Sequence, residues 1–294
     1  MVNLFKALII FLFTSLISLS TAATESRPDK FIEANGLKIH YQEEGNGPPL
    51  LLIHGGGLTS KSWKGMAAVA AKNFRVIMPD SRGHGLTNNS DGQFSYDLMA
   101  EDMAELIKAL KLEKPLVMGY SDGGMVVLKL ISRYPDLASA AVVGGATHRF
   151  ASAHYMKGME VFYGKGAPHQ VLTDAYLSQM ARDMPEMVTF FQNMHHPEQP
   201  EYWRIFLKNI WPMWTTPFSI AEDVKKIQVP VMVIAGDRDE FFTVEEVTEL
   251  YHLLPKGEMA IIPGSGHAIF QSPDKSTLFY MSTTAFLKQQ VAKR

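Results

Sequence analysis

Cysteine is absent from this chain of 294 residues. Its absence excludes disulfides, a thiol nucleophile, a cysteine-based metal centre and a lipidated N-terminal cysteine. The fold must therefore stand on its packed interior, which a chain of this length can supply. An excess of charge of one sign is also missing. The 28 basic and 30 acidic residues leave a formal net charge of −2, and no basic block points to nucleic acid. Dense metal-ligand spacing is lacking too: His195 and His196 are adjacent, so on a helix they diverge and chelate poorly, and no metal is expected. There is no internal repeat and no low-complexity tract. A hydrophobic content of 46% with 20% charged residues is ordinary for a folded chain.

One long apolar run is present, at the N-terminus. Lys6 precedes the apolar residues 7–19, small residues follow at 20–23, and residues 24–28 are polar. A short basic stretch, an apolar stretch and a small-residue cleavage site describe a secretory signal. The run falls short of the ~20 residues that span a bilayer. Residues 1–23 are expected to be a cleaved signal peptide, the mature chain to be secreted or periplasmic, and no stable membrane insertion to remain.

Beyond it, two alternating runs meet at Asn35-Gly36, a hairpin signal over residues 30–41. Strand and helix patterns then alternate. Strands are expected at 50–53, 74–78, 116–118 and 138–144, and helices at 60–72, 96–110 and 123–134. The rhythm lapses between 147 and 216, a stretch rich in Met and aromatic residues and punctuated by Pro168, Pro185, Pro197, Pro200 and Pro212. It resumes with strands at 229–235 and 258–262, a helix at 244–254 and a terminal helix from about 275. Such alternation implies an α/β fold with a mostly parallel, doubly wound sheet. The interruption at 147–216 reads as an all-helical cap inserted between core segments 24–146 and 217–294.

Four constellations carry chemistry. Gly119-Tyr120-Ser121-Asp122-Gly123 stands between an expected strand and an expected helix, the setting of a nucleophile held at a strained turn. His54-Gly55-Gly56-Gly57 follows the strand at 50–53. Acyl transfer builds negative charge on a carbonyl oxygen, and fixed backbone N–H groups stabilise it; the amides of Gly56 and Asp122 are the expected pair, with His54 bracing the loop. Asp237 and Asp239 lie where the strand at 229–235 ends, the edge at which α/β proteins build their sites. Asp239 is taken as the group that orients the base, and Asp237 as a loop acceptor or a partner of Arg238. His267, in Gly264-Ser265-Gly266-His267 after the last strand, is the general base.

The order Ser121, Asp239, His267, with His54-Gly55 upstream, resembles the α/β-hydrolase fold family over essentially the whole mature chain. Asp80-Ser81-Arg82-Gly83-His84-Gly85 looks like that family's loop after its fourth strand, where an Asp and an Arg brace the site. Gly119 to Gly124 is similar to the valacyclovir-hydrolase branch, in which the acidic residue after the nucleophile engages a substrate amino group; for Asp122 the alternative is its backbone N–H alone. Dehalogenases and epoxide hydrolases of this fold use an Asp nucleophile, and Ser121 departs from both. The His-Gly-Gly-Gly run also resembles the hormone-sensitive-lipase group, but the elbow sequence departs from it. The resemblance implies a cofactor-free serine hydrolase acting on small-molecule esters, lactones or amides. The same triad could serve a haloperoxidase-like perhydrolase, and a non-catalytic ligand-binding protein could keep the fold.

Overall fold

The structure, a computed structural model, describes residues 28–293, so the expected signal peptide lies outside the described residues. The chain opens with β1 (Lys30–Ala34) and β2 (Leu37–Glu44), turning at Asn35 and Gly36. Both turn residues have positive φ, 49° and 72°, the geometry that matches the twist of a two-residue hairpin. Next come β3 (Pro49–Ile53), a 3-10 turn at Ser60–Trp63, α1 (Lys64–Ala70), β4 (Arg75–Pro79), α2 (Tyr96–Ala109), β5 (Leu116–Tyr120), α3 (Asp122–Arg133) and β6 (Ala140–Gly144).

The segment that interrupts the alternation begins with β7 (Arg149–Phe150). It continues through α4 (Ala153–Tyr163), a 3-10 turn at Ala167–His169, α5 (Asp174–Asp183), α6 (Pro185–Met194) and α7 (Tyr202–Thr215), and β8 (Phe218–Ser219) follows. β7 and β8 pair antiparallel, a two-residue ribbon that ties the two ends of the helical segment together. Pro185 begins α6, where a missing N–H costs nothing. Pro212, expected to punctuate, instead lies inside α7. The helix runs on because Trp211, Met213 and Trp214 are all buried there, and their packing outweighs one lost backbone hydrogen bond. The chain ends with α8 (Ala221–Val224), β9 (Val231–Gly236), α9 (Val244–Leu253), β10 (Gly257–Ile262) and α10 (Pro273–Ala292).

Eight strands form one sheet in the order β1-β2-β4-β3-β5-β6-β9-β10. β2 runs antiparallel to β1 and β4; every pairing from β4 to β10 is parallel. The central strands are apolar at every position because helices cover both faces. Alternate residues serve two cores. Leu51, Ile53, Val117, Ala141, Val143 and Val233 pack with α2 and α3, whereas Leu50, Leu52, Met118, Val142 and Ile234 pack with α1 and α10. A one-residue slip in any of these strands would exchange its two cores. Among the described residues no helix is long and apolar enough to cross a membrane.

Candidate active site

The parallel strands end along one edge of the sheet, and each chemical group singled out in the sequence follows such an end. Ser121 follows β5, the loop 54–57 follows β3, Asp239 follows β9 and His267 follows β10. In register, Ile53 is level with Gly119, so the glycine loop and the elbow emerge side by side.

Ser121 has φ 55° and ψ −123°, a conformation rarely held by a residue with a side chain. It is over-determined by its backbone: the Ser121 N–H donates to the Gly144 carbonyl at 2.8 Å, and its own carbonyl accepts from Gly124 at 2.8 Å and Met125 at 3.1 Å. α3 then passes so close to β3 that a Cβ on Gly123 would collide with the Ile53 carbonyl oxygen. The Asp122 amide is the first of α3, so it has no acceptor within the helix and sits at the positive end of its dipole. Among the described residues neither this amide nor that of Gly56 meets an acceptor, and both residues line the cavity in front of Ser121. A Cβ at Gly56 would run into the Asp122 carboxylate and the Trp214 ring, which explains glycine there.

His267 has the farthest to come. β10 lies three strands from β5, about 14 Å at ~4.8 Å per strand. The loop after β10 doubles back, and the Tyr120 hydroxyl, one residue before Ser121, donates to the His267 carbonyl at 2.7 Å. Glu240 accepts from the His267 N–H at 2.8 Å. The imidazole thereby reaches Ser121 Oγ with Nε2 at 3.0 Å, and Nδ1 lies 2.9 Å from Asp239 Oδ2. Asp239 is itself fixed, because its Oδ1 accepts the amides of Phe241 at 2.9 Å and Phe242 at 3.0 Å. Asp237 accepts instead from Gly264 at 2.6 Å and Ser265 at 3.3 Å, holding the turn before the histidine. Burial alone pushes the His267 imidazole down. The Asp239 charge and hydrogen bond, helped by Glu240 and Asp122, outweigh it, so its proton is held above the ordinary histidine value.

The cavity before Ser121 measures about 220 Å³. Gly56, Asp122 and His267 form its floor, and Tyr155, Met159, Tyr163, Phe191 and Trp214 of the helical segment form much of its roof. The roof is joined to the floor through Asp122: its Oδ1 accepts from the Tyr96 hydroxyl at 2.8 Å and its Oδ2 from Trp214 Nε1 at 2.6 Å. Burial pushes this carboxyl up to about 6, against the pull of those two donors. The amino-group role implied by resemblance thus meets a carboxylate on which each oxygen already holds one donor.

The surrounding loops are braced by buried polar groups. His54 Nδ1–H donates to the Gly55 carbonyl at 2.8 Å and its Nε2 accepts from Ser81 at 2.9 Å. Asp80 accepts from His40 at 2.7 Å, Ser60 at 2.7 Å and Leu86 at 3.0 Å. Arg82 meets Asp102 through two bonds of 2.7 and 2.8 Å. Among the described residues no group of three or more His, Asp or Glu could hold a metal ion. His195 and His196 turn to separate partners, Gly57 and Thr87. The sequence carries no local signal that brings Tyr96, Glu240 or His195 to the site, nor one that pairs Trp214 with Asp122. Their partners lie far away in the chain: Trp214 meets Asp122 across 92 residues and His195 meets Gly57 across 138.

Similar proteins share this architecture. A 2-hydroxy-6-oxo-6-(2'-aminophenyl)hexa-2,4-dienoic acid hydrolase of Metapseudomonas resinovorans is 25% identical over 287 residues, covering 90% of this chain and 94% of its own. A meta-cleavage product hydrolase structure from Pseudomonas fluorescens IP01 superposes with a TM-score of 0.70 at 21% identity, over 88% of this chain and 97% of that one. The enol-lactonase structure from Burkholderia xenovorans LB400 gives 0.68 at 20% identity, over 88% and 100% respectively. The sequence profile of the alpha/beta hydrolase family matches residues 50–276. With an eight-stranded sheet of this kind and that match across most of its length, the chain belongs to the alpha/beta hydrolase family.

Proposed function

We propose that this enzyme hydrolyses small carboxylic esters or lactones, with amides as slower substrates, through an acyl-enzyme formed on Ser121. The observation that carries the reading is the continuous hydrogen-bonded line from Asp239 through His267 to Ser121 Oγ, with legs of 2.9 and 3.0 Å, opening into a cavity. Ser121 Oγ attacks the carbonyl carbon while His267 Nε2 takes its proton. The carbonyl oxygen gains charge and is met by the Gly56 and Asp122 amides. His267 returns the proton to the leaving group, then removes one from a water that releases the acid and restores Ser121. Asp239 keeps the proton on Nδ1 and stabilises the imidazolium formed at each stage.

The cavity favours small substrates. Its ~220 Å³ lies below the ~300–1,000 Å³ of drug-sized sites, and its walls are mostly aromatic. Two of the similar proteins bear on substrate class: one acts on a hexadienoic acid and another is an enol-lactonase. The test is a fluorophosphonate probe followed by a panel of p-nitrophenyl esters of rising acyl length, lactones, aminoacyl esters and an aryl 2-hydroxy-6-oxohexadienoate. We expect labelling at Ser121 and fastest turnover on short acyl chains. A folded protein that neither labels nor turns over any member would overturn the proposal, and preference for the hexadienoate would move it to carbon–carbon hydrolysis.

The pH profile carries a further expectation. Protonated His267 cannot accept the serine proton, and its proton is held more tightly than in free histidine. The acid limb of kcat/KM should therefore fall at a pH above ~6.5, the ordinary imidazole value. A limb at or below that value in a stopped-time ester assay would contradict the inferred balance between Asp239 and burial. We further propose export of the enzyme, on the pattern of residues 1–23. N-terminal sequencing of the protein produced in a Gram-negative host should begin near Thr24; a retained Met1 would refute it.

A further inference from the structure

Gly57 is held through both its N–H and its carbonyl, which belong to successive peptide units, by histidines outside the Asp239–His267–Ser121 line. Its N–H donates to His84 Nε2 at 3.2 Å, and its carbonyl accepts from His195 Nε2–H at 3.1 Å. Each ring has its tautomer dictated at its other nitrogen. His84 Nδ1–H donates to the Arg82 carbonyl at 2.9 Å, leaving Nε2 an acceptor. His195 Nδ1 accepts from the Gly85 N–H at 3.0 Å, leaving Nε2 the donor. The two rings meet edge to face at 5.3 Å, and His195 stacks on Phe206 at 4.5 Å. Burial pushes both imidazoles down, His195 to about 3, so each remains neutral with one donor and one acceptor near pH 7.

His84 belongs to the core and His195 caps the C-terminus of helix α6 of the inserted segment, so the loop carrying Gly56 is completed only when that segment is seated. We propose that His84 and His195 are positioning residues of the oxyanion loop: by clamping the N–H and the carbonyl of Gly57, in the two peptide units that follow Gly56, they fix the path of the loop and with it the direction of the Gly56 N–H toward the carbonyl oxygen that gains charge. The proposal rests on the acyl-enzyme reading above. A donor is useful only if it is already aimed when the charge appears. A freely rotating 55–56 peptide, which carries the Gly56 N–H, would have to be ordered in every turnover.

The experiment compares His195→Phe, His84→Phe and His195→Gln in the full chain. Phenylalanine fits among the surrounding rings but carries no polar atom, whereas glutamine can accept from Gly85 and donate to Gly57. His195→Phe should lower kcat by about 10- to 100-fold, less than the ~10²–10³-fold for outright loss of one donor, with KM within about twofold. Affinity for an alkyl boronic acid, which forms a tetrahedral adduct on serine, should fall by the same factor as kcat/KM. His195→Gln should recover to within about threefold of the parent. Amide hydrogen exchange at Gly57 should quicken in both phenylalanine variants, and His84→Phe decides the case if His195→Phe does not fold. Unchanged exchange at Gly57, or a rise in KM with kcat and boronate affinity intact, would overturn the clamp. If the parent hydrolyses no ester, the acyl-enzyme reading falls, while the exchange measurement still decides whether the clamp exists.

Discussion

Ser121→Ala is expected to remove all but roughly one part in 10⁴ to 10⁶ of ester hydrolysis, equivalent to about 5–8 kcal/mol of transition-state stabilisation. The expected loss is large because in the proposed mechanism the triad acts as one unit: without Oγ, His267 has nothing to deprotonate and the Gly56 and Asp122 amides face an attack that does not occur. What survives would be water attack helped by the amides alone. The strained backbone is not relieved, since alanine at 121 keeps a Cβ and the same φ of 55°. The unfolding midpoint should therefore stay within a few degrees of the parent. Fluorophosphonate labelling should vanish with the activity. Hydrolysis within tenfold of the parent, by a protein freed of contaminating esterases, would place the nucleophile elsewhere.

Asp239→Asn is the second large effect, about 10⁴-fold in kcat. The physical cause is the tautomer rather than lost structure. Asp239 Oδ1 accepts the Phe241 and Phe242 amides, so the asparagine oxygen takes that place and its NH₂ faces His267 Nδ1. The imidazole must then accept at Nδ1 and carry its proton on Nε2, toward Ser121, where a base is needed. Removing the charge also removes the main influence that raises the His267 proton affinity, so any residual activity should show its acid limb at lower pH. Near-parental kcat with an unshifted limb would mean that another carboxylate orients the ring. Glu240, which holds the His267 amide, is the first alternative to mutate in that event.

The elements were legible in the sequence where local chemistry decides them. Asn35-Gly36 marked the hairpin, the apolar runs marked the parallel strands, and glycines on both sides of Ser121 marked a turn where strand and helix pass closely. Pro212 misled because its local signal is real: proline does disfavour helix interiors. The signal lost to three buried side chains whose partners lie elsewhere in the chain. Asp237 and Asp239 both follow β9 and compete by position alone; their hydrogen bonds separate them, Asp239 to His267 and Asp237 to the Gly264 amide.

The sequence by itself determined the strand–helix order, the elbow and the succession of Ser121, Asp239 and His267, because these follow from residue type and spacing along the chain. Tertiary structure alone decided how a loop three strands away returns to Ser121, that Trp214 and Tyr96 occupy the Asp122 carboxylate, and that His195 grips Gly57. Those contacts join residues up to 147 positions apart. No local preference encodes such a meeting; it exists only when the sheet register and the seating of the helical segment bring the partners within the ~3 Å reach of a hydrogen bond.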